Sequence, residues 1–173
     1  MKNISTDKII LGLVGTITLA AVILIILFSA NEQKNLQGKT LIASYKVEDT
    51  DKPKVEVDKT YQDIGKMKVK DEKTASFTIK NIGNKPLSLS KVSSSCDCTF
   101  GQITINTEKS PEFGMHSKST WSGNIEPGKT AVVDVIYKPY IMPVSGSITR
   151  DVYVQTNDPA NPNLTFTVKA FVE

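Results

Sequence analysis

The sequence is poor in the residues that carry most enzyme chemistry. Its 173 residues include two cysteines, one histidine and, among 21 basic residues, a single arginine, Arg150. With one histidine, a Ser/His or Cys/His pair is available only if the fold brings a nucleophile to it from a distant part of the chain. The segment VSGSI (144–148) also lacks the first glycine of the G-x-S-x-G nucleophile motif. We therefore expect a protein that is not an enzyme.

Clustered positive charge is also missing. The formal net charge is +3, and the lysines are scattered along the chain. Nucleic-acid grooves usually group arginines with aromatic side chains on which bases stack. We therefore expect no nucleic-acid partner and interpret the lysines as a solvated surface.

One long apolar segment stands out. Residues 9–30, IILGLVGTITLAAVILIILFSA, carry no charge, and as a helix they would extend about 33 Å, enough to cross a bilayer. A cleaved signal peptide is the main alternative, but its apolar region is usually shorter and ends in a small-x-small site, where this chain has Phe28. We predict a retained transmembrane anchor.

The membrane topology follows from the lengths on either side of this span. The lysines flanking it do not favour an inside N-terminus, but long domains are translocated largely regardless of charge. We expect a signal-anchor protein that crosses the cell membrane once, with residues 1–8 in the cytoplasm and the C-terminal domain outside it.

A polar segment follows the predicted anchor. Residues 31–53 read as a linker that either acts as a flexible tether or packs on the domain through a short strand or turn. The apolar residues available for such packing are Leu41, Ile42, Tyr45 and Val47.

From Lys54 onward, apolar residues alternate with polar ones. The alternation is clearest in TASFTIKN (74–81), TAVVDVIY (130–137) and LTFTVKAFV (164–172), and it is typical of half-buried strands. Segments rich in Gly, Pro, Asn and Asp lie between the strands, and no amphipathic helix follows the anchor. Residues 54–173 are therefore predicted to form an all-β, immunoglobulin-like antiparallel sandwich of about 7 to 8 strands.

Residues 123–130, GNIEPGKT, match the phosphate-binding pattern G-x-x-x-x-G-K-[ST]. A phosphate loop needs a helix after it, and this segment precedes the predicted strand AVVDVIY. Pro127 has no backbone N–H, so one of the donors that would contact the anion is missing. We interpret the segment as a turn in which Pro127 presets φ and Gly128 takes the tight position, and we expect no nucleotide ligand.

Several motifs in residues 61–173 carry a resemblance. They are F-x-I-x-N-x-G in FTIKNIG, the PL-x-x step, S-C-x-C-T in SCDCT, the PG turn of IEPGK and TND-x-x-x-P in TNDPANP. The chain resembles a bacterial family catalogued as domain of unknown function number fifteen seventy-three. The resemblance implies an immunoglobulin-like sandwich related to the Hydin and major-sperm-protein group, exported and often membrane-tethered. The chain departs from the family in residues 99–124, a long segment that the shorter members of the family lack.

The only two cysteines, Cys96 and Cys98, lie two residues apart. On a strand, both sulfurs would point to the same side. A disulfide between them would be a poor structural staple, because so small a loop constrains the unfolded chain little, but it would suit redox exchange. The pair could also bind a soft metal ion, or could consist of two small, partly buried side chains.

The metal hypothesis draws on the segment that departs from the family. It contains the only histidine, His116, beside Met115, and these could join Cys96 and Cys98 around Cu(I) or zinc. A blue-copper centre is excluded, because it needs two histidines. The alternative is that His116 is an exposed loop residue and Met115 fills a gap under the loop.

Two functions of different classes stay open. The first is a non-enzymatic binding or scaffolding module, without a cofactor, that presents loops or a sheet edge to another envelope protein. The second is a metal-handling or thiol-redox protein that uses Cys96 and Cys98 with His116.

Overall fold

The computed structural model describes residues 18–23, 42–118 and 120–173. The chain divides into two compact units, Met1–Leu41 and Ile42–Glu173. In the first unit, residues 18–23 are helical. The rest of the predicted anchor, the predicted cytoplasmic tail and the first part of the linker lie outside the described residues. Within the described ranges, no helix is both long and apolar enough to cross a membrane.

The second unit is built from β-strands, ten of which fall within the described residues. In chain order they are β1 (Val55–Val57), β2 (Tyr61–Met67), β3 (Lys73–Asn81), β4 (Leu87–Ser94), β5 (Thr99–Ile105), β6 (Glu108–Lys109), β7 (Ser122–Ile125), β8 (Thr130–Tyr137), β9 (Gly146–Thr156) and β10 (Asn163–Val172).

These strands form two sheets of five, in the orders β1-β3-β8-β5-β6 and β2-β10-β9-β4-β7. The predicted all-β sandwich is confirmed, with two corrections. The described residues contain ten strands rather than the expected 7 or 8, and three of the ten are only two to four residues long. The sandwich is also not purely antiparallel, because β2 pairs with β10 in parallel.

The alternation in the sequence corresponds to the two faces of each sheet. The predicted strands 74–81, 130–137 and 164–172 coincide with β3, β8 and β10. Their inward side chains fill the space between the sheets, where the ring centroids of Phe77 on β3 and Phe166 on β10 lie 5.1 Å apart. Both rings are fully buried, so apolar burial and aromatic contact hold the two sheets together.

The outer strands offer little exposed sheet edge. β1, β6 and β7 have three, two and four residues. The remaining edge strand, β2, has an irregular register with β10 and a left-handed residue, Gly65, at φ +71°. Short and irregular edges are the usual protection against pairing with another chain. This arrangement favours the loops over the edges as binding surfaces.

The segment GNIEPGKT is a turn, as predicted, and it connects β7 in one sheet to β8 in the other. The Lys129 N–H donates to the Glu126 carbonyl at 3.0 Å, and Gly128 has φ +76°. These are the features of a type II turn with proline in its second and glycine in its third position. A strand follows it, and not the helix that a phosphate loop requires.

The described part of the predicted linker lies against the sandwich without forming a strand. Residues 42–45 line a cleft of about 260 Å³ with the β9–β10 turn. Further along, the Asn84 N–H donates to the Lys52 carbonyl at 3.2 Å, and a Cβ at Gly83 would overlap the backbone of this segment. Residues 52–54 therefore contact the β3–β4 turn, whereas Ile42 and Val47 are exposed, and packing of the linker through its apolar side chains stays a prediction.

The connections gather at two ends of the sandwich. The β3–β4 turn (82–86), the β7–β8 turn (126–129) and the β9–β10 turn (157–162) lie together, and we call this the polar end. The β4–β5 turn (95–98) and the β8–β9 loop (138–145) lie at the opposite end. We call it the cysteine end, because Cys96 and Cys98 are there.

Candidate functional site

The cysteine pair lies in the β4–β5 turn and not on a strand. The chain bends after β4, where the Ser95 N–H donates to the Asp151 carbonyl of β9 at 2.9 Å. The Thr99 N–H then donates back to the Cys96 carbonyl at 3.2 Å. This bend brings the Cα atoms of Cys96 and Cys98 to 5.3 Å, and the two residues are joined by a disulfide.

The two sulfurs have different surroundings. Cys98 is completely buried in a small apolar cluster, whereas Cys96 is half-buried at the surface of that cluster. The other buried members of the cluster are Met67, Tyr137, Ile148, Ala170 and Val172. The Cys98 N–H donates to the Cys96 sulfur at 2.9 Å, and the Thr99 hydroxyl lies 3.8 Å from both sulfurs. The disulfide is thus open to reagents from the Cys96 side.

The only arginine in the chain contacts the buried sulfur. Arg150 Nε donates to Cys98 Sγ at 3.3 Å, and its Nη1 donates to the Thr149 carbonyl at 2.9 Å. The guanidinium also lies over the ring of Tyr137, 5.9 Å from the ring centroid. Burial raises the pKa of Tyr137, and the positive charge of Arg150 opposes that rise.

His116 and Met115 lie near the cysteine turn, but they do not reach the sulfurs by any polar contact in the described part of the chain. His116 Nε2 is 3.9 Å from a carboxylate oxygen of Asp97, and its side chain is exposed. Met115 is also exposed. His116 is therefore an exposed loop residue, which is the alternative to its role as a metal ligand. Met115 does not fill a gap beneath the loop, because its side chain is exposed.

The metal hypothesis for Cys96, Cys98, His116 and Met115 stays a prediction. In the disulfide, the two sulfurs are bonded to each other. Among the described residues, no group of three or more His, Cys, Asp or Glu side chains is arranged to hold a metal ion.

Exposed apolar side chains lie in the β8–β9 loop, at the same end of the sandwich as the disulfide. Tyr140, Ile141 and Met142 follow one another in the β8–β9 loop, and they are 48%, 42% and 48% exposed. The loop adjoins the cysteine turn, because the Lys138 N–H donates to the Cys98 carbonyl at 2.8 Å. We refer to these three residues as the apolar loop.

Ion pairs fix the base of the apolar loop. Lys138 Nζ lies 2.9 Å from a carboxylate oxygen of Glu112 and 3.8 Å from one of Glu72. The hydrogen bond to Glu112 raises the pKa of Lys138, although burial opposes it. The Tyr140 hydroxyl donates to Glu72 at 3.3 Å. The loop is therefore held in place while its apolar side chains face solvent.

Sequence reasoning missed both Arg150 and the apolar loop as functional features. Arg150 alternates with Ile148, Val152 and Val154 in ITRDVYV, so the pattern places a charge on the inner face of a strand. The register between β9 and β10 agrees with this placement, because Arg150 pairs with the buried Val168 of β10. The apolar loop shows in the sequence as YIMPV (140–144), a run of apolar residues between two strands.

Two five-stranded sheets packed face to face define an immunoglobulin-like sandwich domain. The family model described as "HYDIN/CFA65/VesB-like, Ig-like domain" matches residues 53–171, and the chain belongs to that family. Among curated proteins, none matches the sequence. The narrower assignment to family number fifteen seventy-three stays a prediction. The same holds for the S-C-x-C-T motif as a feature of that family.

Several solved structures are similar. A protein of unknown function from Porphyromonas gingivalis W83 matches with a TM-score of 0.55 and 22% identity, over 70% of this chain and 48% of that one. The chain thus spans about half the length of that protein. The seventh PapD-like domain of human CEP192 matches with a TM-score of 0.43 and 17% identity, over 77% and 96%.

A chaperone complex gives a weaker match. The CsuC–CsuE chaperone-tip adhesion subunit pre-assembly complex from Acinetobacter baumannii has a TM-score of 0.39 and 11% identity, over 69% of this chain and 52% of that one. At these identities the likeness extends to the fold alone.

Proposed function

We propose that this protein is a membrane-anchored binding module of the cell envelope, and that it captures a protein partner through the apolar loop. The observation that carries the proposal is the run of three exposed large apolar side chains, Tyr140, Ile141 and Met142. The immunoglobulin-like fold supports a binding or scaffolding role, because such sandwiches present loops from a rigid frame.

The surroundings of the apolar loop favour a protein as the partner. Its apolar side chains are bordered by Glu72, Glu112 and Lys138, which are already paired with one another. An apolar centre with a polar, charge-balanced rim is the usual composition of a protein-binding surface. A loop fixed at its base also loses little conformational freedom on binding, which favours affinity.

The place of the module in the cell is part of the proposal. The uncharged segment 9–30 would anchor the chain, and the domain would lie outside the cytoplasm. The disulfide between Cys96 and Cys98 supports the outside location, because disulfides persist mainly in oxidising compartments. Protease treatment of intact cells tests it: the domain should be digested while a cytoplasmic marker protein is not. Full protection that ends only on lysis would contradict it.

Site-specific crosslinking tests the binding surface. A photoreactive amino acid is placed at Ile141 of the full-length chain in the producing cells, with Ile82 as the matched control. Ile82 is 43% exposed, against 42% for Ile141, but it follows β3 at the polar end. We expect one discrete protein adduct from position 141 and none from position 82.

Substitutions of the neighbouring residues complete the test. Tyr140→Ser with Met142→Ser should abolish the adduct from position 141 and leave the free energy of unfolding within about 0.5 kcal/mol, because the side chains are exposed. Equal adducts from both positions, or an adduct that survives the double substitution, would exclude the apolar loop as the binding surface.

A further inference from the structure

A positive charge on the inner face of a sheet needs an explanation. Arg150 is half-buried on β9, beside the inward-facing Ile148 and Val152. Among the described residues, no carboxylate oxygen lies within 4.0 Å of its nitrogens. Removing a guanidinium from water without a negative partner costs free energy. Arg150 keeps part of its contact with water and lies over the Tyr137 ring, but its charge has no ionic partner among the described residues.

Besides the Thr149 carbonyl and the Tyr137 ring, Arg150 contacts one end of a disulfide. Its Nε donates to Cys98 Sγ at 3.3 Å. A disulfide sulfur is uncharged and a weak acceptor, so this contact does not balance the charge. A thiolate at the same position would balance it, because a charge-assisted hydrogen bond is about twice as strong as a neutral one.

We propose that the Cys96–Cys98 disulfide is a thiol–disulfide exchange site, in which Arg150 stabilises the Cys98 thiolate released when a thiolate of another molecule attacks Cys96. This function goes beyond the capture of a partner. The structure gives the exchange a direction, because Cys98 is completely buried whereas Cys96 is half-buried and can be reached from solvent.

The exchange takes place in two thiolate attacks. The incoming thiolate forms a bond to Cys96 Sγ, the bond between the two cysteine sulfurs breaks, and its electron pair leaves on Cys98 Sγ as a thiolate beside Arg150. A second thiolate of the incoming molecule then attacks its own sulfur in the mixed disulfide and releases Cys96 as a thiolate. The protein gains two electrons and becomes a dithiol, and the incoming dithiol becomes a disulfide.

The stabilised product sets the direction of electron flow. A dithiol–disulfide pair whose reduced form is stabilised is a strong oxidant. Arg150 stabilises only the reduced form, because the thiolate exists only after the disulfide opens. The site therefore acts as an acceptor of electrons from thiols. The apolar loop, whose base is bonded to the Cys98 carbonyl, lies where it would contact a protein bearing such thiols.

A redox titration of the full-length chain in detergent tests the role of Arg150. In mixtures of reduced and oxidised glutathione, Arg150→Met should shift the equilibrium about tenfold towards the disulfide, because the reduced form loses its counter-charge. Arg150→Lys should restore most of the loss, since a cation returns. Lys169→Met, which removes an exposed cation from the neighbouring β10, is the matched control and should leave the equilibrium unchanged.

The same titration can overturn the proposal. An unchanged equilibrium in Arg150→Met, with the oxidised form unfolding at the same urea concentration as the wild type, would show that Arg150 does not act on the thiolate. An equal shift in the Lys169→Met control would indicate a general charge effect and would also overturn it.

Single cysteine variants test the direction of attack. Cys98→Ser leaves the accessible Cys96, which should be trapped as a mixed disulfide when cells are quenched with an alkylating reagent. Cys96→Ser leaves the buried Cys98 and should trap at least about tenfold less. Mass analysis distinguishes a protein adduct from a glutathione adduct, and either one supports exchange at Cys96.

The proposal would be overturned if only the Cys96→Ser variant, which keeps Cys98, formed a mixed disulfide. It would also be overturned if neither variant formed one. These outcomes are independent of the crosslinking at Ile141, because glutathione exchange does not require the apolar loop. Failure of the exchange site and failure of the binding surface can therefore be told apart.

Discussion

The two ends of the sandwich are closed in opposite ways. At the polar end, the buried side chains of Asn81, Asn157 and Asp158 all bond to backbone groups of the neighbouring strands. At the cysteine end, the buried hydroxyl of Tyr137 has no hydrogen-bond partner among the described residues, and Arg150 has no carboxylate. Among the described residues, the polar end thus pairs these buried side chains, whereas the cysteine end leaves the Tyr137 hydroxyl and the charge of Arg150 without a partner.

The difference separates the motifs that build the fold from those that serve a function. Asn81 and Gly83 belong to F-x-I-x-N-x-G, and Asp158 belongs to TND-x-x-x-P, so both motifs lie at the polar end. The S-C-x-C-T motif lies at the other. Departures from ideal packing and pairing are expected where function, and not stability, selects the residues. The contrast favours a structural role for the polar end, and it agrees with the exchange site proposed at the cysteine end.

The largest expected effect comes from Asn81. Its Nδ2 donates to the carbonyls of Lys85 and Ile125 at 2.8 and 2.9 Å, and its Oδ1 accepts the Gly83 N–H at 2.9 Å. Asn81→Ala leaves these buried groups unpaired, and we expect the free energy of unfolding to fall by about 3 kcal/mol. Urea denaturation measures it.

The matched control is Asn163→Ala, at an exposed position on β10, which should change the free energy of unfolding by less than about 0.5 kcal/mol. Equal losses at the two positions would remove the special role of the polar end.

The next effect is a dependence on pH. Burial alone would raise the pKa of Asp158, but hydrogen bonds from the Val55, Ala160 and Asn161 backbones and the Asn161 side chain outweigh burial and lower that pKa from its ordinary value of 3.8. The carboxylate therefore stabilises the fold at neutral pH. This contribution is lost as the pH falls from the unfolded value through the lower pKa of the folded protein.

Asp158→Asn isolates this contribution. The variant should be less stable than the wild type at neutral pH, and the difference should shrink as the solution is acidified, as followed by urea denaturation across an acid series. A difference that stays constant, or grows, on acidification would mean that the charge of Asp158 does not stabilise the fold.

A smaller effect is expected in the β7–β8 turn. Gly128 has φ +76°, and a Cβ there would meet no atom within 4 Å. Gly128→Ala should therefore lower the free energy of unfolding by about 1 kcal/mol, through backbone strain alone. Lys129→Ala, one residue later in the same turn, is the control and should be nearly neutral. A neutral Gly128→Ala would argue against the type II turn.

The strands could be predicted from the sequence because each has one buried face. Phe77 and Ile79 on β3 repeat every second residue, and that period is a local signal. The turn of the cysteine pair could not be predicted in this way. It depends on bonds between Ser95 and Asp151, which are 56 residues apart. The parallel pairing of β2 with β10 is equally non-local.

The candidate site was predicted in part. The cysteine pair was identified from its spacing, and its disulfide was one of the alternatives left open. Arg150 was missed, although the alternation in ITRDVYV (148–154) places it on the same face as Ile148 and Val152. The contact joins Arg150 on β9 to Cys98 in the β4–β5 turn, which are 52 residues apart, and no local pattern encodes it.

The smallest effect is expected at Tyr137, at the cysteine end. Tyr137 is completely buried, and its hydroxyl has no hydrogen-bond partner among the described residues. Tyr137→Phe removes that hydroxyl and keeps the ring beneath Arg150. Because an unpaired buried hydroxyl contributes nothing favourable, the free energy of unfolding should stay within about 0.5 kcal/mol of the wild type or rise slightly. A loss as large as that of Asn81→Ala would show that the hydroxyl is bonded in solution, and the contrast between the two ends would then rest on Arg150 alone.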